Sequence, residues 1–304
     1  ERAKYGPISV YVMASSCVPA THMETSGARL GAEDLTQLLS SRWVVGLAEV
    51  MNYPGVVYGD EDMLEKLSAF GDRVIDGHSP ALTGRALNAY VASGIGSDHE
   101  CTTPEEALEK LRLGMTILIR EGTTTHNLKA LLPVVTANNH HRLCFCTDDR
   151  QPNSLIDQGS IDYMIRTAIA SGIDPIMAIR MGTINTANWF RLHDRGAVAV
   201  GRKADMVVFS DLQNLQPEMV FREGLLIAQD GEVVHTKPVQ REIDLRSSIN
   251  VRPGDLDFRI PAQSSRIHII EGYADQVVTG HRIDDAKIVD GYAVSDPDRD
   301  ILKM

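Results

Sequence analysis

The sequence predicts an α/β protein built on a TIM-like (β/α)8 barrel that here lacks its first strands, with a small β-sandwich-type domain after it. Up to about residue 180, short β-rich runs alternate with amphipathic segments of about ten to fifteen residues, the pattern of βα units on a parallel sheet. After about residue 195 the chain changes to Gly-rich turns and short strands. Acidic and histidine residues also stand directly at the ends of several predicted strands.

The first part of the chain contains six predicted strands. Six units fit either an open doubly wound sheet or an eight-stranded barrel with its first two units before residue 1, and the chemistry of the strand ends favours the barrel. The predicted strands are Ile8 to Ala14, Val44 to Glu49, Arg73 to Gly77, Gly94 to Asp98, Met115 to Arg120 and Arg142 to Thr147.

Two helices between or after these strands have clear start signals. Thr103 is the expected N-cap of one helix, with Pro104 in its first turn and Glu106 three residues after the cap, which predicts a capping box. Asp174 and Pro175 open another helix in the same way.

The last third of the chain predicts β structure at first and little regular pattern later. Gly196, Gly201 and the run from Ala204 to Phe209 are followed by an expected hairpin at Asp230 and Gly231. Beyond about residue 236 the pattern is weak and polar. The predicted division is a barrel over 1–195, the return to a small β domain over 196–236, and the start of a C-terminal region over 237–304.

Composition argues against two classes of partner. The net charge of −11 disfavours a nucleic-acid backbone, because phosphate contacts need clustered Lys and Arg. No stretch approaches the roughly 18 consecutive apolar residues of a membrane span. Four cysteines without the density or spacing of a disulfide framework favour a reducing cytoplasm; they are Cys17, Cys101, Cys144 and Cys146.

Four ionisable residues fall at equivalent places, each at the end of a predicted strand. They are Glu49, His78, His99 and Asp148. In a barrel, such positions converge on one face, and converging ionisable groups need a cation or a chemical role to compensate them. Imidazole and carboxylate ligands suit Zn, Mn or Fe better than Mg or Ca. The bland alternative for each residue is a hydrogen-bonded structural histidine or a solvated acid.

At these positions the sequence resembles the adenine deaminases, a family of metal-dependent amidohydrolases. The resemblance extends over most of residues 8 to 240, and Thr183–Ala187 with Gly201–Val208 is similar to the return from barrel to β domain in amidohydrolases. The strings that carry it, in order, are Ser16–Ala20 (SCVPA), Gly46–Asn52 (GLAEVMN), Asp76–His78 (DGH), Ser97–Glu100 (SDHE) and Cys146–Asp149 (CTDD).

The resemblance implies a role for each strand-end residue. It implies that Glu49 bridges two divalent metal ions and that His78 and His99 hold the second ion. Asp148 is implied to bind the first ion and to take the proton from the attacking hydroxide. Asp149 is implied to orient substrate.

The resemblance further implies hydrolytic deamination of adenine to hypoxanthine and ammonia, with a binuclear Mn or Fe centre and Zn as a third candidate. Glu100 and Glu121 are the candidates for the acid that protonates the ring, and Glu24 for a substrate contact. Each of these acids also fits an ordinary loop charge. We expect a homodimer with adenine as its small-molecule partner, and no nucleic acid or membrane.

The sequence departs from the family at one motif. The His-x-His pair expected at the end of the first barrel strand is absent from these 304 residues. We expect it in a segment that precedes residue 1, and we expect the chain alone to be inactive without it. The alternatives are an amidohydrolase that opens a cyclic amide, such as a dihydroorotase-like enzyme, or a non-catalytic protein with this fold.

Overall fold

The computed structural model describes residues 7–212, 214–234, 251–252, 254 and 256–304. The chain divides into two compact units, residues 1–239 and 240–304. The domain boundary predicted near residue 236 lies outside the described residues.

Parallel strands form the frame of the first unit, with two three-stranded sheets ordered β1-β2-β3 and β4-β5-β6. Gly96 N donates to Ile75 O at 3.1 Å, which links β4 to β3, so the strands follow one another in chain order. This order is that of a barrel wall, because a doubly wound sheet reverses its strand order at a switch point. The strands are β1 (Val12–Ser15), β2 (Val44–Val50), β3 (Val74–Gly77), β4 (Ser97–Asp98), β5 (Thr116–Arg120) and β6 (Leu143–Cys146).

Six strands were predicted here, and the structure confirms all six with two notable corrections. β1 begins at Val12 and not at Ile8, because pairing with β2 starts at Val12 opposite Val44. β4 begins at Ser97 and not at Gly94, since Gly94 has a φ of +92° and is not extended.

Helices and short turns connect these strands. Tight helical turns occur at Gln37–Ser40, Leu132–Val134 and His140–Arg142. The helices are α1 (Ala32–Thr36), α2 (Tyr53–Tyr58), α3 (Glu61–Ala69), α4 (Gly84–Ala92), α5 (Pro104–Arg112), α6 (Leu128–Leu131), α7 (Pro152–Asp157), α8 (Ile161–Ala170), α9 (Pro175–Gly182) and α10 (Ile184–Trp189).

The predicted helix starts are confirmed. The predicted capping box of α5 forms only one of its two hydrogen bonds, the one that the Thr103 side chain accepts. Asp174 accepts from Met177 N at 3.0 Å, and Thr103 Oγ1 accepts from Glu106 N at 3.3 Å. The Glu106 carboxylate does not return to the cap. It accepts instead from Thr102 N at 3.1 Å, one residue before the cap, from Ala81 N at 2.9 Å, and from the fully buried Lys110 Nζ at 2.7 Å.

Apolar residues of the strands and helices form one core in the first unit. A buried cross-link lies within it: Trp189 Nε1 donates to Asp76 Oδ1 at 2.8 Å, and Ser97 Oγ donates to the same oxygen at 2.6 Å. The indole packs on Gly96, where a Cβ would lie 2.6 Å from a ring carbon. The core includes Leu47, Ile75, Ile117 and Ile119 from the strands and Leu67, Leu87, Met164 and Met181 from the helices.

The first unit ends in a four-stranded antiparallel sheet with the order β10-β9-β8-β7. The predicted hairpin is confirmed: Asp230 and Gly231 have φ values of +51° and +82°, as a tight turn between β9 and β10 requires. The strands are β7 (Met206–Val208), β8 (Met219–Arg222), β9 (Leu225–Gln229) and β10 (Glu232–Val233).

The second unit contains strands in a region that gave a weak and polar sequence pattern. Its longest element is an antiparallel hairpin of β12 and β13, in which side chains alternate between exposed and half-buried. A tight turn lies at Pro297–Arg299. The strands are β11 (Ile260–Pro261), β12 (Arg266–Gly272), β13 (Thr279–Asp285), β14 (Lys287–Val289) and β15 (Tyr292–Val294). Of all the helices in the described ranges, none has the length and apolar character needed to cross a bilayer.

Candidate metal centre

Three side chains from successive strand ends meet at one carboxylate oxygen. Glu49 lies near the end of β2, His78 directly follows β3, and His99 directly follows β4. Glu49 Oε2 lies 3.1 Å from His78 Nδ1 and 2.7 Å from His99 Nε2. The two imidazole rings stand edge to face, with centroids 5.3 Å apart.

Buried hydrogen bonds fix the strand ends that carry Glu49 and His78. Tyr90 Oη accepts from the His78 backbone N at 2.8 Å and donates to Val50 O at 2.7 Å, so it ties the end of β3 to the end of β2. Cys17 Sγ donates to Glu49 O at 2.8 Å. These contacts hold the carboxylate and the imidazole on neighbouring strands.

Asp98 holds the other side of the cluster. Its carboxylate accepts from Ser79 N at 2.8 Å and from Glu100 N at 3.1 Å, which joins the loops after β3 and β4. Lys110 Nζ donates to it at 2.9 Å, and both side chains are fully buried. His99 therefore projects from a backbone that is fixed on both sides.

A second group of acids adjoins the three-residue cluster. Glu100 Oε1 lies 3.4 Å from His99 Nε2, and the carboxylates of Glu100 and Asp148 both contact Arg120. Donor atoms of His99, Glu100 and Asp148 lie within 4.8 Å of one another, as do those of Glu49, His78 and His99. The structure thus brings together five residues that the sequence placed at or beside strand ends.

Strong electrostatic coupling links Glu49 and His99. Burial acts to raise the pKa of Glu49, but hydrogen bonds from His78 and His99 outweigh it, and the pKa falls well below the usual 4.5. Burial acts to lower the pKa of His99, but its hydrogen bond to Glu49 and the negative charges of Glu49 and Asp98 raise it to about 9. The carboxylate is therefore anionic and stabilises positive charge beside it.

This donor set fits a divalent cation. It offers two imidazole nitrogens and carboxylate oxygens, the ligands that suit Zn, Mn and Fe. The carboxylate carries the negative charge that such an ion needs, and the donors converge without a further change of fold.

The cluster opens into a cavity of about 340 Å³. This volume lies in the range of small-molecule sites. Its lining residues are Ser15, Cys17, Ala48, Glu49, Asp76, His99, Leu118, Cys146 and Asp148.

Three predicted site residues belong neither to this cavity wall nor to the two groups of candidate ligands beside it. Glu121 is buried and accepts from Leu128 N at 3.2 Å, with His126 Nδ1 2.9 Å away. Asp149 accepts from Thr124 N at 3.2 Å and so anchors the loop after β5.

Glu24 is exposed and lines a separate cavity of about 210 Å³ together with His22 and Arg29. Catalytic and substrate roles for Glu24, Glu121 and Asp149 stay predictions.

Sequence reasoning missed Arg120, the last residue of β5. The rule that selected Glu49, His78 and His99, a polar residue at the end of a strand, applies to Arg120 as well. Asp76 was quoted only within a motif, although its carboxylate lines the cavity.

Comparison with known proteins agrees with this geometry. A family model described as the amidohydrolase family matches residues 2–234. Adenine deaminase from Desulfatibacillum aliphaticivorans is 45% identical over 306 residues, which cover 100% of this chain and 54% of the relative. Adenine deaminase from Thermosipho africanus is 44% identical over 304 residues, covering 98% and 53%. The resemblance found in the sequence is thereby confirmed, and the chain spans about half the length of these curated relatives.

A solved structure agrees in fold. Beta-aspartyl dipeptidase from Fervidobacterium islandicum AW-1, in complex with a beta-Asp-Leu dipeptide, superposes with a TM-score of 0.53 at 15% sequence identity. The match covers 71% of this chain and 66% of that one. Together with the consecutive parallel strands and their histidine and carboxylate ends, the match over residues 2–234 shows that this chain belongs to the amidohydrolase family.

Proposed function

We propose that the full-length protein deaminates adenine hydrolytically, giving hypoxanthine and ammonia. The observation that carries this proposal is the cluster of Glu49, His78 and His99 beside Glu100 and Asp148, in a chain similar to adenine deaminases along its whole length. The proposed fold is a (β/α)8 barrel with a β-sandwich-type domain. Six parallel strands in chain order and the antiparallel sheet β7–β10 support it.

We infer a centre of two divalent ions, Mn or Fe, with Zn as a third candidate. Glu49 would help to hold both ions, His78 and His99 would hold one of them, and Asp148 would hold the other. Such ions, when bound, would supply a hydroxide nucleophile at neutral pH by lowering the pKa of water to about 7.

Asp148 is the proposed base. Its side chain lines the cavity and is 41% exposed, so a substrate can reach it. In the proposed reaction its carboxylate accepts the proton of the attacking hydroxide and delivers it to the leaving amine, which departs as ammonia.

Glu100 is the favoured acid for protonating a ring nitrogen. Its Oε1 lies 3.4 Å from His99 Nε2, beside the cluster, whereas the Glu121 carboxylate accepts from the Leu128 backbone. A positioned acid contributes about 10²–10⁴-fold to rate, so Glu100→Gln and Glu121→Gln separate the two candidates by their kcat.

The test is an adenine assay on the full-length protein reconstituted with Mn²⁺. We expect equimolar hypoxanthine and ammonia from the wild type, and a fall in kcat of about 10²–10⁴-fold in Asp148→Asn. Asp157→Asn, an exposed aspartate at the end of α7, is the matched control and keeps wild-type activity.

Two outcomes point to the alternatives. A protein that releases no ammonia from adenine but opens a cyclic amide is the dihydroorotase-like enzyme. A full-length protein that binds less than about one ion per chain and acts on neither substrate is the non-catalytic relative. The apposed ionisable groups argue against this outcome, since a structural fold has no need of them.

We further propose a cytoplasmic homodimer without nucleic-acid or membrane partners. The four cysteines are free thiols, which suits a reducing compartment, and the net charge of −11 disfavours nucleic acid. The homodimer rests on the family resemblance, and light scattering tests it.

A further inference from the structure

Arg120 links the two acids that the proposed reaction uses. It ends β5 and is 1% exposed. Its Nη1 contacts Glu100 Oε1 and donates to Asp148 Oδ2 at 3.0 Å. One donor group therefore holds the carboxylates that follow β4 and β6, the strands on either side of β5.

The guanidinium is itself fixed in place. Nη2 donates to Asn127 Oδ1 at 3.1 Å, and Asn127 is completely buried. An arginine side chain stays protonated in proteins, so Arg120 faces the two acids as a cation. A planar guanidinium held at two points presents its donors in one orientation.

Asp148 depends on this contact for its orientation. Its backbone has a φ of +48°, and its side chain is 41% exposed. Within residues 7–212 and the later described segments, Arg120 is the only hydrogen-bond donor that the structure gives to the Asp148 carboxylate. Without it, the carboxylate is free to turn into solvent.

The contact also has a cost for folding. Arg120 Nε and Asn127 Nδ2 are buried, and neither finds a hydrogen-bond partner in the part of the chain that the structure describes. Unsatisfied buried donors destabilise a fold. An apolar side chain at this position would serve packing alone, so the arginine points to a role in the site.

We propose that Arg120 is a positioning residue that sets the separation and orientation of Glu100 and Asp148, the proposed ring acid and the proposed base. This inference rests on the proposed deaminase function. Arg120 is not proposed to touch the substrate. It acts through these two side chains, each of which accepts from its guanidinium.

The experiment compares three variants of the full-length protein loaded with Mn²⁺. Arg120→Ala removes the guanidinium and leaves space for methylguanidine, and Arg120→Lys keeps the charge. Arg150→Ala is the matched control: Arg150 is 8% exposed and donates to the backbone oxygens of Gly159 and Glu121, not to a carboxylate. Each variant is measured for kcat, KM, bound Mn²⁺ and melting temperature.

We expect Arg120→Ala to lower kcat for adenine by about a hundredfold while KM changes less than about threefold. Bound Mn²⁺ at Glu49, His78 and His99 is expected to persist, because Arg120 contacts none of these three. Added methylguanidine should restore kcat at least about tenfold in Arg120→Ala and leave Arg150→Ala unchanged. Arg120→Lys should fall between wild type and Arg120→Ala, since a lysine keeps charge without the fixed planar donors.

The outcomes separate this inference from the proposed function. A wild type that releases no ammonia from adenine overturns both. An active wild type with Arg120→Ala within about threefold of its kcat overturns the role of Arg120 alone. So does a loss of activity that methylguanidine does not reverse, or one that Mn²⁺ content and melting temperature follow in parallel.

Discussion

Replacing Lys110 with methionine tests how far the buried ion cluster behind the metal centre stabilises the fold. Lys110 is fully buried and donates to Asp98 at 2.9 Å, Glu106 at 2.7 Å and Ser79 O at 2.7 Å. Methionine keeps most of the stem but removes the ammonium, which leaves the fully buried Asp98 without its cation. Removing one partner of a buried pair costs about 3–5 kcal/mol.

This loss is large enough to measure by thermal unfolding. At about 2–4 °C per kcal/mol for a domain of this size, the melting temperature should fall by roughly 6–20 °C. Lys66→Met is the matched control, since Lys66 is equally buried but its partner Asp62 is 26% exposed. Water can solvate Asp62 after the change, so we expect a loss of about 1 kcal/mol.

The pH dependence gives a second check. Burial acts to raise the pKa of Asp98, but Lys110 lowers it below the usual 3.8; burial acts to lower the pKa of Lys110, but Asp98 raises it above 10.5. The carboxylate's contribution is present above the unfolded pKa of 3.8 and is lost as the pH falls through the lower folded value. The ammonium's contribution to stability is fully present below the unfolded pKa of 10.5 and is lost as the pH rises from there through the higher folded value. In Lys110→Met only burial acts strongly on Asp98 and raises its pKa, so the carboxyl group can take up a proton at a higher pH than in the wild type. The stability difference between the two proteins should therefore be largest near pH 9 and shrink steadily as the pH falls. A difference under about 1 kcal/mol, or one equal to that of Lys66→Met, refutes the reasoning.

Three further predictions follow from single contacts. Glu49→Gln keeps the shape of the side chain but removes its negative charge, so calorimetric Mn²⁺ affinity should fall by more than the roughly 10–100-fold typical of outer-sphere changes; an unchanged affinity would contradict the proposed ligand. Gly122→Ala places a Cβ against the Asp149 carboxylate, which must turn away and give up its hydrogen bonds to Thr124 and Thr125 at a cost of about 1–3 kcal/mol; an unaltered melting temperature would argue against the contact. Burial raises the pKa of Cys144 to about 12, so iodoacetamide at pH 8 should leave Cys144 unmodified in the folded protein and label the half-buried Cys17 first; peptide mass spectrometry shows the order, and the reverse order speaks against this burial.

Much of the barrel was predictable because local signals and long-range packing agree there. Thr103 and Asp174 cap helices through contacts of three residues' range, and these contacts form whatever surrounds them. Glu106 shows the limit of this reasoning. Its sequence position suits a capping box, but its carboxylate accepts from Ala81 N at 2.9 Å, a donor 25 residues away in the sequence that only the folded structure brings near.

The candidate site was predictable from strand ends and not from the residues that hold them. Glu49, His78 and His99 converge because parallel strands end on one face. Arg120 obeys the same rule, but an arginine after an apolar strand is ordinarily a snorkelling surface residue, and nothing local shows that two acids will enclose it. The hairpin of β12 and β13 was missed because β13 places Arg282 and Asp284 on its half-buried face, which weakens the period-two signal of the pair.

The hydrogen bond between Trp189 and Asp76 can form only late in the synthesis of the first unit. The two residues are 113 positions apart, and at about 5–20 residues per second a ribosome needs roughly 6–23 s to make the second after the first. During that interval the indole that covers Gly96 has not been synthesised. The strands that lead to His78 and His99 therefore lack one of their packing partners. A nascent chain can therefore form the hydrogen bond between Trp189 and Asp76, and pack the indole on Gly96, only after α10 has been translated.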